Sequence, residues 1–366
     1  MGITIYDLAR EAGVGIGTVS RCLNNHPSVS RQTRAKVLAL AKRLNYQPHA
    51  YAQRLASRRT NTIAAIIPFF TNYFFLQILQ GIQERASRLG LDLILHGVTR
   101  TDQVEQSLRR SLQRGRVDGV MFFSMPLPDL YAEKFLQMQL PLVLVDACHP
   151  SFDSIRIENR EGEYRATAHL VGLGHRHIGM INALPKTQPA LDRLAGYRDA
   201  LQEAGIPYDD ELVFHSADPR QDGFTEEAGR EAMKRLLRRS LHGEPIRAVV
   251  IASDIQAIGA LEAAREEGVR VPEDIALVGF DDIEFARHFR LTTMRQPMYE
   301  MGVIALEHLV ERIKHPTLHP SMRSFVPELI VRSTCGGQPG GEPASMTEDR
   351  SLNDGSDVSI GRAQGS

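Results

Sequence analysis

GVGIGT, Gly13–Thr18, places three glycines at alternate positions and admits two readings. One is a loop wrapped round a nucleotide phosphate, the other the corner between two helices. A phosphate loop needs a strand before its glycines and a helix opening on the phosphate. The preceding TIYDLAREA instead sets Ile5, Leu8, Ala9 and Ala12 at helical spacing, with Asp7 and Glu11 early and outward. Helix, glycine-containing turn and second helix form the signature of a helix-turn-helix, in which Gly13 ends the first helix and Val14 plugs the gap. The expected helices are Ile5–Ala12, Thr18–Asn24 and Arg31–Leu44. Ser30 caps the third, and Val37, Leu38, Ala41 and Leu44 form its apolar face.

Outward from this corner, charge is distributed unevenly. The 366-residue chain has a net charge of -1, yet residues 1–60 hold ten Lys/Arg against Asp7 and Glu11. A basic module therefore precedes an acidic body, which points to a polyanionic partner, nucleic acid foremost. The length allows two or more domains, and the 42% apolar share suits a globular protein. No apolar run nears the ~18 residues of a membrane span, and MGITIYDLAR lacks the pattern of a secretory signal, so a cytoplasmic protein is expected. Cys22, Cys148 and Cys335 lie far apart without a CxxC pair, which indicates reduced thiols.

From Ile63 onward short apolar runs alternate with helical patterns. IAAII, LDLIL, GVMFF and PLVLV are followed by HIGMIN, ELVFH, AVVIA and IALVGF, with AGYRDALQEAG and AIGALEAAREEG among the intervening helices. Two successive βα arrays predict two lobes, each a doubly wound parallel sheet covered on both faces. LTTMRQP then leads to a helix over Tyr299–Lys314 and a last strand, SFVPELIVR. Residues 336–366 are rich in Gly, Pro, Ser and acids and are read as a disordered tail without leucine heptads.

TIYDLAREAGVGIGTVSRCLN and HPSVSRQTRAKVLALAKRLNYQPHAYAQRLA together resemble the DNA-binding headpiece and hinge of the LacI/GalR family of bacterial repressors. The body adds VDGVMFF, HLVGLGHRHIGMI, RLAGYRDAL, ASDIQAIGAL, VPEDIALVGFDD and LTTMRQP, so the resemblance spans about residues 3–335. It implies a small all-α helix-turn-helix headpiece (1–47), a hinge helix (48–60) and an α/β two-lobed, periplasmic-binding-protein-like body (61–335) for effector binding and dimerisation. Lobe 1 is placed at about 61–160 and 292–322, and lobe 2 at about 161–291 and 323–335.

The family places its second helix in the major groove. Ile16, Gly17 and Arg21 match its reading positions, Arg21 able to donate twice to a guanine and Ile16 to meet a thymine methyl. Thr4, Tyr6, Thr18, Ser20 and Asn24 match phosphate contacts. Gly15 replaces the usual capping serine and Gly17 removes a side chain, so the helix starts weakly and reads with fewer groups. In the hinge, Leu55 corresponds to a wedge in the minor groove and Ala52 to the small contact beside it. His49 stands where asparagine is more frequent.

Ligands of open α/β sheets bind beyond the carboxyl ends of the strands. Those positions are Pro68–Phe70, His96, Ser124, Asp146, Asn182, His215, Ser253, Asp254 and Phe280–Asp282. By resemblance, Phe70, Phe74, Asp146, Arg193, Ser253, Asp254, Phe280 and Asp281 touch the effector. Asp282 is expected to be structural, because acids after a strand often cap the next turn. Carboxylates, hydroxyls and aromatic faces suit a sugar-like polyol. A purine, or a partner protein acting as co-regulator, is the alternative. Catalysis is not expected: His175 and His177 lack a third metal ligand, and no GxSxG elbow appears. The whole implies a homodimeric regulator, in the repressor sense, on a palindromic double-stranded DNA operator at the bacterial nucleoid, without cofactor, metal or membrane. A solute-binding protein is the remote alternative.

Overall fold

The computed structural model describes residues 3–23, 25–46, 59–99, 101–241 and 244–337. The readings placed on Asn24, His49, Ala52 and Leu55, and on the tail from residue 338, lie outside the described residues.

Three helices open the chain: α1 (Ile5–Ala12), α2 (Ile16–Leu23) and α3 (Arg31–Arg43). Thr4 caps α1 by a reciprocal box, its hydroxyl accepting from Asp7 N while the Asp7 carboxylate accepts from Thr4 N. Gly13 ends the helix at φ 68°, the left-handed turn that a side chain disfavours, and its N–H reaches the Ala9 and Arg10 carbonyls. Ser30 caps α3, accepting from Thr33 N at 3.1 Å.

α2 starts two residues before the expected Thr18. The Gly15 carbonyl accepts from both Thr18 N (2.8 Å) and Val19 N (3.1 Å), so the backbone alone opens the helix. Leu8, Ala12, Val19, Cys22 and Val37 close a small core of their own, with Val14 packed at its edge. Leu38 is a correction: it is exposed, and Leu40 takes its place. Positions 37, 40, 41 and 44 keep the i, i+3, i+4, i+7 spacing of one face, whereas Leu38 is displaced by about 100° from Val37.

In the body, the strands of two sheets run β1 (Thr62–Pro68), β2 (Asp92–Val98), β3 (Gly119–Phe123), β4 (Leu142–Val145), β5 (Asp153–Ile157), β6 (Ile178–Asn182), β7 (Val213–His215), β8 (Ala248–Ile251), β9 (Ala276–Asp281), β10 (Thr293–Arg295), β11 (Met322–Phe325) and β12 (Glu328–Ile330). The helices are α4 (Tyr73–Leu89), α5 (Thr101–Ser111), α6 (Asp129–Gln137), α7 (Asn159–Gly172), α8 (Gln188–Glu203), α9 (Glu226–Leu237), α10 (Asp254–Glu266), α11 (Glu284–His288) and α12 (Met298–Lys314). The first sheet has the order β11-β5-β4-β3-β1-β2 and the second β12-β10-β9-β8-β6-β7. Within these two sheets the pairings are parallel except β12 on β10. Continuous apolar strands such as TIAAIIP are buried at every residue, as a sheet covered on both faces requires.

The chain divides into two compact units, Met1–Glu158 with Gln296–Val326, and Asn159–Arg295 with the chain from Pro327. The expected last strand is two strands. β11 joins β5 in the first unit and β12 joins β10 in the second. Pro327, between them, has no N–H for a continuous ladder. β5 and β10 are strands that sequence patterning did not single out. DSIRI begins with buried polar residues because the Asp153 carboxylate accepts from Arg312 (2.9 Å, twice) and Ser321 N (2.8 Å).

Candidate functional site

In the headpiece, Val19 and Cys22 point into the core, which turns Ile16, Gly17, Thr18, Ser20 and Arg21 to the other side of α2. Ile16 and Arg21 are exposed and Thr18 and Ser20 half-buried. Arg21 Nε donates to the Gly17 carbonyl at 3.0 Å, laying the guanidinium along the bare face that Gly17 leaves. Tyr6 is exposed beside the start of α1. Thr4 is already engaged, since its hydroxyl donates to Asp7 Oδ2 at 2.6 Å. Together with Arg10, it holds the Asp7 carboxyl below its ordinary range.

In the first unit, β4, β3 and β1 are neighbours, and the residue after each has a positive φ: Asp146 (53°), Ser124 (46°) and Phe69 (47°). Such conformations are costly for non-glycine residues and concentrate at functional sites. Ser124 Oγ donates to Asp146 Oδ2 at 2.8 Å, tying two of these strand ends together. Phe70 is exposed and lies over Gly97, where a Cβ would come within 2.4 Å of its ring. Phe74, half-buried at the start of α4, meets Phe75 edge-on at 5.1 Å. His96 departs from expectation. It sits within β2 opposite Ile66, its Nε2 enclosed without a hydrogen bond. Burial, then Arg116 and Arg110, hold its pKa below the usual histidine value.

In the second unit Arg193, on α8, is 5% exposed. Its Nε and Nη2 donate to Asn159 Oδ1 (3.0 and 2.8 Å), Nη1 donates to the Ala252 carbonyl, and the guanidinium lies 3.8 Å from the centre of the Phe280 ring. Phe280 is fully buried, so it is a platform under the arginine rather than an open aromatic face. Ser253 caps α10, accepting from Gln256 N. Asp254 is fully buried, with Oδ1 accepting from Thr293 Oγ1 (2.6 Å) and Oδ2 from Ile283 N (3.0 Å). Burial, then the charge of Asp281, push its pKa up.

Asp281, at φ 122°, ends β9, and Asp282 is held by Arg295 (2.7 Å) and Arg332 (2.6 Å). Asn182 is buried and spends its amide on Ala190 O and Ala183 N, while His215 is half-buried at the end of β7.

Sequence reasoning missed Asn159 and Glu163, which share a buried face of α7. Asn159 orients Arg193. Glu163 is buried without a hydrogen bond to either oxygen, and burial, opposed by Arg193, pushes its pKa up to about 7. Neither belongs to a pattern that sequence could flag, because polar and charged residues early in a helix ordinarily face solvent. Among the described residues no group of three or more His, Cys, Asp or Glu could hold a metal ion, and no helix is long and apolar enough to cross a membrane.

A family model described as bacterial regulatory proteins, lacI family, matches residues 4–49, and one for a periplasmic binding protein-like domain matches residues 167–335. The chain is 31% identical to catabolite control protein A of Priestia megaterium, over 88% of this chain and 96% of that protein. It is 32% identical to the transcriptional regulator GalR of Escherichia coli (90% and 94%) and 33% identical to the transcriptional repressor PurR of Photobacterium profundum (90% and 98%). Among solved structures, the lac repressor dimer bound to operator and an anti-inducer matches with a TM-score of 0.78 at 27% identity, over 91% of this chain and 99% of that one. The regulator CelR in complex with cellobiose matches at 0.67 and 32% identity, with the same coverage. A helix-turn-helix headpiece followed by two parallel-sheet units, carried by this likeness along nearly the whole chain, makes the protein a member of the lacI family of bacterial regulatory proteins.

Proposed function

We propose that the chain is a cytoplasmic transcriptional repressor that binds a palindromic operator as a homodimer and changes its affinity when a small ligand binds between its two lobes. The observation that carries this reading is the outward face of α2 in a basic headpiece, where Ile16, Gly17 and Arg21 are turned away from the core. Ile16 and Arg21 read base edges, while Thr4, Tyr6, Thr18, Ser20 and Asn24 set register on the backbone. Leu55, flanked by Ala52 and His49, wedges the minor groove at the operator centre.

The effector is a sugar or sugar derivative. Phe70, Phe74 and Asp146 contribute from one lobe, and Arg193, Ser253, Asp254 and Asp281 from the other, with Phe280 supporting Arg193. Ser124 with Asp146, and Arg193 with Asp281, supply the mixed donors and acceptors that a polyol's hydroxyls need. The solved relative that carries cellobiose supports this class. A purine is the second reading, favoured by the purine-repressor likeness. No catalytic role is assigned to any residue.

A ligand controls DNA only through different affinities for two arrangements of the lobes. The test is a thermal-shift screen of sugars, sugar phosphates, nucleosides and purines, followed by operator titration with each hit. A sugar hit that changes operator affinity supports the reading, since a ligand selective for the folded state raises Tm. A purine hit alone overturns the sugar assignment.

A further inference from the structure

The first unit carries a positively charged rim on an otherwise acidic body. Beyond residue 60 the chain holds 33 Lys/Arg against 42 Asp/Glu. Within LRRSLQRGRVD, Leu108–Asp118, four arginines stand against one acid. Arg109 is spent on Tyr131 Oη (2.9 Å) and Glu105. Arg110 and Arg114 are exposed and make no hydrogen bond or ion pair with the described residues, and Arg116 has only Gln113 Oε1 at 3.4 Å. Arg114 borders a hollow of about 350 Å³ with Arg59, and a second of about 470 Å³ with Arg116, Thr62 and Asp92.

Two acids adjoin these groups, Asp92 and Asp118. Asp118 is already engaged: Oδ1 accepts from Thr60 N (2.7 Å) and Thr60 Oγ1 (2.9 Å), and Oδ2 from Asn61 N (2.8 Å). That clamp also fixes where the rim is. It pins the point at which the chain leaves the hinge segment, two residues from Arg116. Thirteen steps separate Tyr46, at the end of the headpiece, from Arg59. At about 3.6 Å per step the tether is shorter than roughly 47 Å even when fully extended. DNA held by α2 is therefore kept close to the rim at high effective concentration.

We propose that Arg110, Arg114 and Arg116 form a second, sequence-independent contact with the phosphates of the DNA held by the headpiece. The inference rests on the DNA-binding reading above. Exposed guanidinium groups without carboxylate partners match a polyanion that carries one charge per ~1.7 Å of axis. The depressed pKa of His96, caused in part by Arg116 and Arg110, reflects the same local excess of positive charge. The rim adds affinity and salt dependence and leaves base reading to the headpiece.

The test uses the full-length dimer and a DNA site selected from random duplexes. Operator and scrambled affinities are measured by fluorescence anisotropy from low to high salt for wild type and for the triple variant Arg110→Gln, Arg114→Gln, Arg116→Gln. At ~0.9 per lost phosphate contact, the slope of log K against log salt is expected to shrink by about 2 to 3 per subunit, about 5 for the dimer, on both duplexes, with the operator-to-scrambled ratio preserved. Melting temperature and the far-UV circular dichroism spectrum should stay as in wild type, which separates lost contacts from lost folding. An unchanged slope overturns the proposal and leaves an acidic or phosphorylated protein surface as the partner of the rim. A wild type with no preference for the selected site refutes the underlying DNA reading instead, whatever the variant does.

Discussion

Replacing Glu163 with Gln should make the second unit gain stability relative to wild type as pH rises, because it removes one group that binds a proton more tightly in the folded state. Glu163 lies on the buried face of α7 with neither oxygen hydrogen-bonded among the described residues, and its pKa is raised from an ordinary 4.5 to about 7. The folded state therefore holds the proton more tightly than the unfolded state. Stability from this group is present below pH 4.5 and is lost as pH rises through 7. A shift of that size corresponds to about 3 kcal/mol, at ~1.36 kcal/mol per pKa unit. The Gln amide brings its own unmet hydrogen bonds, a cost of about 1–3 kcal/mol, but that cost does not vary with pH. The pH-dependent part of the difference is thus the readout. Calorimetry should show the variant's Tm for the second unit gaining on wild type by about 5–10 °C between pH 5 and pH 8, where about 2.5 kcal/mol of the effect is lost, at ~2–4 °C per kcal/mol for a unit of this size. A difference that is the same at both pH values would refute the reasoning and show that Glu163 titrates alike in the folded and unfolded states, as it would if water reached it.

Three further outcomes follow from the same geometry. Arg21→Ala should cost about 1–3 kcal/mol on the operator and relax preference at one base pair per half-site, whereas an equal loss on random DNA would make Arg21 a phosphate contact only. Asp281→Asn should weaken effector binding by calorimetry and spare ligand-free operator affinity; normal ligand affinity would misplace the ligand site. Gly13→Ala forces a side chain into φ 68° at the corner of the helix-turn-helix and should lower headpiece stability by about 1 kcal/mol, read by hydrogen exchange of α1 amides against those of α3.

The corner at Gly13 was legible because its neighbours speak in one period: Ile5, Leu8, Ala9 and Ala12 are helical, and the glycine is needed for a left-handed turn. The main strands were legible as uninterrupted apolar runs. DSIRI and TMR escaped notice because their buried polar groups are satisfied by partners far along the chain, Arg312 for Asp153 and Asp254 for Thr293. SFVPELIVR looked continuous because composition does not reveal that a proline hands the chain from one sheet to another. Arg193 could be singled out by motif, yet its partner Asn159 is 34 positions away and its platform Phe280 lies on another strand. Such long-range pairings leave no periodic trace in sequence.

The claim that lobes and headpiece act as one switch is tested most directly at Leu55. Operator and scrambled affinities, each with and without the ligand found by thermal shift, are to be measured by fluorescence anisotropy at one salt concentration for wild type and Leu55→Ala. The account predicts that wild type prefers operator and changes affinity with ligand. In the variant, operator binding should fall toward the scrambled level and the ligand response shrink with it, while scrambled binding holds. Unchanged operator affinity in Leu55→Ala, with the ligand response intact, would contradict the account.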